Sequence, residues 1–349
     1  MLEVTKISKK AGNFALKDVS FDVPDRAYFV ILGMSGAGKT MLLEIIAGLR
    51  KPDSGSVFFN GEDITRLKAN KRGVGLVFQD NAIFPHMSVE KNIAYACYGR
   101  GFTKNEIRGR VLKWAEAMNI KDLLCRKPSG LSGGELRRVA LARTLAMEPS
   151  VLLLDEPLSS LDVLIQYDMI RLLKKLKESG QTIIHVTHDY YEAYALADLL
   201  TIINSGSIEQ TGPPAEVFRN PASRFVCALT GIRNFFTGIE ISKAGELYRH
   251  KLPEDFEIYS SYQCATGTPV FIREEDVKIL PSANFSGLNI FEGRVTDIIP
   301  SPDFFSVVVD AGVNFFARVP EEDMPGINIH TGNTVKIKIS PEAVMPVGR

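Results

Sequence analysis

The chain has 349 residues, 45% of them hydrophobic and 23% charged, with 28 Gly and 18 Pro; that usage belongs to folded globular domains, and the length suits two of them. Lys+Arg and Asp+Glu each number 41, so net charge nominates neither nucleic acid nor an acidic surface as partner, and no run approaches the 18 or more apolar residues of a spanning helix. The two ends differ slightly: residues 230–349 hold 11 basic and 16 acidic side chains, leaving 30 and 25 in residues 1–229.

The opening residues show no leader pattern, so no secretion signal is expected. Tyr28–Leu32 is the first of five short apolar runs, followed by Val74–Phe78, Val151–Leu154, Ile183–Thr187 and Leu199–Ile203. Continuously apolar runs of that length suit strands buried on both faces, as in a parallel sheet covered by helices. Lys39–Leu49 and Val163–Ser179 instead space apolar residues by three and four, and Gly180 stops the second, so both are expected as helices. The front of the chain is therefore α/β. The cysteines (Cys97, Cys125, Cys227, Cys264) lack C-x-x-C spacing, which points to reduced thiols in a cytoplasmic protein, with neither a disulfide framework nor a zinc site.

Between the first run and the first helical pattern, Gly33-Met34-Ser35-Gly36-Ala37-Gly38-Lys39-Thr40 fits G-x-x-x-x-G-K-[ST]. Glycines let the backbone curl around phosphates with its N–H groups inward, and the following helix start adds positive potential. Lys39 is placed to reach the β- and γ-phosphates and the Thr40 hydroxyl to join a Mg²⁺ shell. A P-loop alone leaves GTPases, small-molecule kinases and motor ATPases open. Val151-Leu-Leu-Leu-Asp155-Glu156 narrows the choice. A strand ending in Asp delivers a carboxylate to Mg²⁺ at the carboxyl edge of the sheet, and the adjacent Glu156 is placed to polarise a water for attack on the γ-phosphate. No Asn-Lys-x-Asp occurs, so guanine specificity has no support.

Leu131-Ser132-Gly133-Gly134-Glu135 opens an Arg-rich helical pattern, Leu136–Ala146. A serine followed by two glycines at a helix start exposes backbone donors to an anion. It lies too close upstream of Asp155 to be a second P-loop. Here the chain resembles the ATP-binding-cassette ATPases, whose signature is Leu-Ser-Gly-Gly. Other family motifs follow in order: Gln79 after Val74–Phe78, Ser159-Ser160-Leu161-Asp162 past Glu156, and His188 after Ile183–Thr187.

The resemblance implies ATP and Mg²⁺ as ligands and a head-to-tail homodimer with two ATP molecules at its interface. Gly33–Thr40, Gln79, Asp155, Glu156 and His188 of one subunit would face Ser132–Glu135 of the partner subunit. His188 would hold the γ-phosphate and attacking water in line, and Gln79 would sense Mg²⁺ and couple to a partner. Position 135 is Glu where the commonest signature has Gln; it suits a helix N-terminus. Ala11 occupies the expected place of the adenine-stacking aromatic, with Phe14 nearby as a substitute.

Only 92 residues separate Lys39 from Ser132, enough for a helical subdomain and too few for the coiled-coil arms of DNA-repair relatives. Phe84-Pro-His-Met-Ser-Val-Glu-Lys-Asn-Ile93 resembles the region where importer ATPases receive the coupling helix of a membrane subunit. The expected protein is peripheral, on the cytoplasmic face of the membrane, beneath two integral permease subunits and fed by an external binding protein. An exporter or a non-transport ATPase is the reading from another class.

After Thr211-Gly-Pro-Pro214 the pattern changes. Ala215–Leu229 is helical; beyond Gly231, Phe291–Ile299, Phe304–Val309, Asn314–Val319 and Thr334–Ile339 read as strands, the last alternating Val335, Ile337 and Ile339 with Lys336 and Lys338. An ATP-binding-cassette domain over 1–229 and a small all-β, barrel-like regulatory domain over 230–349 are expected. Ser286-Gly-Leu-Asn289-Ile-Phe-Glu-Gly293, Val309-Asp-Ala-Gly312 and Ile339-Ser-Pro-Glu-Ala-Val344 resemble the molybdate-binding fold of molybdate and tungstate importers; sulfate, ferric-iron, polyamine and sugar importers are the alternatives. An oxyanion there would be held by neutral donors, for which Ser286, Asn289 and Ser340 are the candidates, or those residues are turn and cap residues of a structural barrel.

Overall fold

The computed structural model describes residues 1–237, 240–252, 256–280, 286–327 and 329–348, and the chain forms two compact units, Met1–Val217 and Phe218–Arg349.

In the first unit, strands β1 (Leu2–Ala11) and β2 (Phe14–Val23) form an antiparallel hairpin and precede β3 (Tyr28–Leu32) and helix α1 (Lys39–Ala47). Strands β4 (Ser54–Phe59), β5 (Glu62–Asp63) and β6 (Val74–Val77) follow, then helices α2 (Val89–Tyr95), α3 (Lys104–Ala117) and α4 (Gly133–Ala146). The unit continues through β7 (Val151–Asp155), α5 (Val163–Glu178), β8 (Thr182–Thr187), α6 (Tyr190–Leu196), β9 (Leu199–Asn204) and β10 (Ser207–Gly212).

Two sheets result. One is antiparallel, ordered β2-β1-β4-β5; the other is ordered β10-β9-β3-β8-β7-β6, with β9, β3, β8, β7 and β6 parallel and β10 antiparallel at its edge. All five apolar runs expected as strands lie in the second sheet, and β3, β7 and β8 are buried at every residue. That burial is why they read as unbroken apolar runs. Helix α1 packs Leu42, Leu43, Ile45 and Ile46 into one core with Leu2, Val4 and Phe21 of the antiparallel sheet and Phe29, Ile31 and Leu153 of the parallel sheet. Each fully buried Leu or Ile there stabilises the fold by about 1.5–3 kcal/mol.

The second unit begins within the helical stretch expected over Ala215–Leu229, which is two helices, α7 (Pro214–Arg219) and α8 (Arg224–Leu229), parted at Pro221. Helix α8 buries Cys227 against Ile232 and Phe271, so the compact units part ahead of residue 229. Burial pushes the Cys227 thiol up to about 11. Five residues past α8 the strands begin: β11 (Asn234–Thr237), β12 (Glu240–Ala244), β13 (Leu247–Lys251), β14 (Glu257–Ser260), β15 (Pro269–Ile272), β16 (Val277–Leu280), β17 (Ile290–Pro300), β18 (Phe304–Asp310), β19 (Asn314–Pro320), β20 (Thr334–Ile339) and β21 (Met345–Pro346). Their sheets are β11-β15-β21, β12-β13-β14 and β16-β20-β17-β18-β19. The last curls until its edge strands β16 and β19 approach one another, a nearly closed barrel. Phe315 sits in its core with Phe256 and Phe291, and β20 buries Ile337 and Ile339 while exposing Lys338.

Candidate functional site

Strand β3 runs buried to Leu32, and the next residue has no room for a side chain: a Cβ on Gly33 would lie 2.4 Å from the Ile203 carbonyl oxygen of β9. Gly38, the residue before α1, has φ 99°, and a Cβ there would strike the Phe14 ring at 2.6 Å. Only glycine fits either demand. The loop thus delivers Lys39 to the first turn of a helix that carries no acid there. Lys39 is 5% exposed; its Nζ donates to the carbonyls of Gly33 (2.8 Å) and Met34 (3.0 Å) and lies 3.9 Å from Glu156 Oε1. Burial lowers its ammonium below the usual lysine range, against the pull of Glu156 and Asp155.

Strand β7 ends at buried Asp155, whose Oδ1 accepts from Thr40 Oγ1 at 3.2 Å. Burial holds this carboxyl above the ordinary carboxylate range; the Thr40 bond opposes the rise and Glu156 adds to it. Glu156 turns out of the strand at φ 45°, pinned by its N–H to Val186 O (2.9 Å) and by Ser159 Oγ donating to its carbonyl (2.8 Å). That kink aims its carboxylate at three groups: Gln79 Nε2 at 3.3 Å, His188 Nδ1 at 3.3 Å and Lys39 Nζ. The structure therefore gathers Lys39, Thr40, Gln79, Asp155, Glu156 and His188, from four different segments, around one point.

A hydroxyl and a carboxylate side by side, with the Gln79 amide oxygen left over, form a hard-donor set that fits Mg²⁺. The set is too small to enclose the ion alone, so phosphate oxygens and water would complete it.

Two cavities border the P-loop. One, of about 400 Å³, is lined by Ser35, Gly36, Lys39, Thr40, Gln79 and Glu156; the other, of about 440 Å³, by Asn13, Lys17, Met34, Gly36, Ala37 and Ser205. Phe14 lines both, and Ala11 lines neither.

Ser132–Glu135 is not part of this cluster, and neither cavity includes it. Ser132 caps α4: its N–H donates to Glu135 Oε2 at 2.7 Å, and its Oγ accepts from the Glu135 N–H at 3.3 Å. Those bonds hold the Glu135 carboxyl below its ordinary value. Glu135 closes this capping box, as the Gln of the commonest signature also could. A Cβ on Gly134 would strike Ile165 at 2.6 Å, whereas nothing lies within 4 Å of one on Gly133. The helix start is packed on one side and open on the other.

The role of the α4 arginines emerges only in the fold. Arg137 Nη1 donates to the carbonyls of Phe78 (3.2 Å) and Gln79 (2.9 Å); Arg143 donates to those of Asn81 (3.0 Å) and Ala82 (2.7 Å). An Arg-rich helix was legible, but not which carbonyls it would hold.

In the second unit Asn289 is buried at φ 52°, and its amide pairs in both directions with the backbone of Tyr259, at 2.7 and 2.8 Å. It holds a turn against β14 and has little left to offer an anion. Ser286 and Ser340 are exposed, and the Asn289 carbonyl accepts from the N–H of Ile339 beside Ser340.

Residues 16–159 match the ABC transporter family. The chain is 42% identical over 350 residues to a molybdate/tungstate import ATP-binding protein of Pyrococcus horikoshii, covering 99% of each. It is 41% identical over 281 residues to a sulfate/thiosulfate import ATP-binding protein of Synechococcus elongatus, covering 80% of this chain and 77% of that one. A solved dimeric ATP-binding cassette in a post-hydrolysis state, bound to ADP and Pi, superposes with a TM-score of 0.55 at 30% identity, over 61% of this chain and 99% of that one.

Proposed function

This chain belongs to the ABC transporter family as one of its ATP hydrolases, and from that premise we propose that it drives a molybdate or tungstate importer. The observation that carries the cargo is the end-to-end match to the Pyrococcus horikoshii protein, which takes in the C-terminal unit as well as the cassette. The sulfate/thiosulfate relative leaves a fifth of the chain unmatched.

Two copies would close head to tail, so that the open side of the Ser132–Glu135 helix start of the partner subunit meets the γ-phosphate held by Gly33–Thr40. Lys39, a buried cation bonded to the carbonyls of Gly33 and Met34 and 3.9 Å from Glu156, gains a further counter-charge when phosphate arrives. Asp155 and Thr40 would hold Mg²⁺, with the Gln79 amide oxygen beside them; the ion supplies charge neutralisation on the phosphates. Glu156 is the group that polarises water. Its carboxylate is held by the Gln79 amide and His188, and both contacts fix its direction for an in-line attack. His188 then steadies the γ-phosphate. Phe14, which borders both cavities, takes the adenine side in place of Ala11.

No helix among the described residues is long and apolar enough to cross a membrane, so the link to the bilayer would run through permease subunits at the cytoplasmic face. The segment Phe84–Ile93 suits that contact. Buried Asn92 fixes it by bonding the backbone of Phe84, Met87 and Ser88, and Tyr95 and Tyr98 beside it are 48% and 59% exposed. An external binding protein would supply the anion. In the C-terminal unit the exposed Ser286 and Ser340 are the remaining donors for a sensed oxyanion, with Asn289 holding the turn between them.

A thermal-shift comparison of the full chain with molybdate, tungstate, sulfate and phosphate tests the cargo. Stabilisation by the first two alone is expected; equal response to all four, or to sulfate alone, removes the molybdate/tungstate reading.

A further inference from the structure

Gln79 is exposed and sits just past the end of β6, yet its amide is held against Glu156. The segment that places it is strained. Asn81 and Ala82 follow one another at φ 63° and 45°, in the left-handed region. Asn tolerates that conformation; alanine has no polar side chain to compensate for it. Such a pair persists only where its surroundings impose it.

The imposing groups belong to α4. The Arg143 fork donates to the carbonyls of those two residues, Asn81 and Ala82. One helical turn and a half earlier, Arg137, 4% exposed, donates to Phe78 and Gln79. Burial desolvates both guanidiniums, which strengthens their bonds to carbonyls. Four of the five carbonyls from Phe78 to Ala82 are thus held by one rigid helix whose first turn is Ser132–Glu135.

Resting on the ATPase reading above, we infer that Arg137 and Arg143 are positioning residues: they set Gln79 against Glu156 and make that placement follow the signature helix α4. Movement of the Ser132 end of α4 carries the forks with it, releases the strained pair and withdraws Gln79 from the base. Engagement of Ser132 across the dimer and readiness of Glu156 are then one event.

The test is steady-state ATPase kinetics of the full chain with Arg137→Lys and Arg143→Lys, which keep the charge and lose the fork. We expect kcat to fall at least tenfold for Arg143→Lys, with KM for ATP changed less than threefold. Ala82→Gly, which accepts φ 45° without strain, should restore kcat at least threefold in the Arg143→Lys background relative to its effect alone. Wild-type kcat in both lysine variants overturns the inference. So does a parallel loss of kcat and ATP affinity that Ala82→Gly leaves uncorrected. Failure of the unaltered protein to hydrolyse ATP would instead sink the ATPase reading itself.

Discussion

Both units bury polar side chains that serve the backbone, as Asn92 does in the first, but the first also gathers charged ones at a cavity. In the first, Lys39, Asp155 and Glu156 converge across loops, and burial displaces the Lys39 ammonium and the Asp155 carboxyl from their ordinary titration ranges. In the second, the buried amides of Asn234 and Asn289 are consumed by the fold. Asn234 pairs its amide with the backbone of Phe316 at 2.7 and 2.8 Å, Asn289 does the same to Tyr259, and His250 bonds Ser260 at 2.7 Å. A buried polar residue marks chemistry where its partners are other charges at a cavity, and architecture where its partners are backbone groups of a neighbouring strand.

The largest effect that would sharpen this contrast is at Glu156. Glu156→Gln should keep ATP binding, lower turnover about 10²–10⁴-fold and hold the closed dimer; normal turnover would break the assignment. Next comes Asn234→Ala, which leaves the Phe316 N–H and carbonyl unpaired. We expect a loss of about 2–4 kcal/mol in denaturant-induced unfolding, since each orphaned group costs about 1–3 kcal/mol. Equal stability would show that the pairing is dispensable.

Asp155→Asn should do the reverse, abolishing turnover while raising the thermal midpoint by about 2–4 °C, the response of a unit this size to roughly 1 kcal/mol. The sign follows from the raised carboxyl: ionising it costs stability above its folded pKa, and that cost vanishes as pH falls below the ordinary Asp value of 3.8. The advantage of the variant should therefore shrink toward pH 4; a lower midpoint at pH 7 would refute the account. The smallest effect concerns His250, which burial holds below the usual 6.5. Its contribution is complete above that value and declines as pH falls through 6.5. His250→Gln should flatten the fall in unfolding midpoint between pH 7 and 5, and an unchanged slope would assign that dependence elsewhere.

The parallel sheet and the P-loop were legible because β3, β7 and β8 are buried on both faces and because only glycine fits at positions 33 and 38. The front hairpin was not. β1 carries register shifts between Val4 and Ile7 and again before Lys9, with Lys6 at φ 48°, so its alternation is broken where a period of two would be sought. Strands β11–β16 are four or five residues long, too short to establish a period. Among site residues, Glu156 and His188 could be named from their place after strands. Lys39, Thr40, Gln79 and Asp155 were legible from their motifs in the same way, whereas Asn289 shows the limit: residue type identifies a donor, but only the fold decides whether a neighbour has already claimed it.

The ring of Phe14, wedged over Gly38 and shared by two cavities, offers a handle for chemical genetics. With adenine seated beside it as proposed above, cutting it back to alanine should open the chambers into one another and admit ATP analogues enlarged on the purine. Selective inhibition of the altered protein by such an analogue, with the parent untouched, would let one transporter be silenced among its many cassette-bearing neighbours.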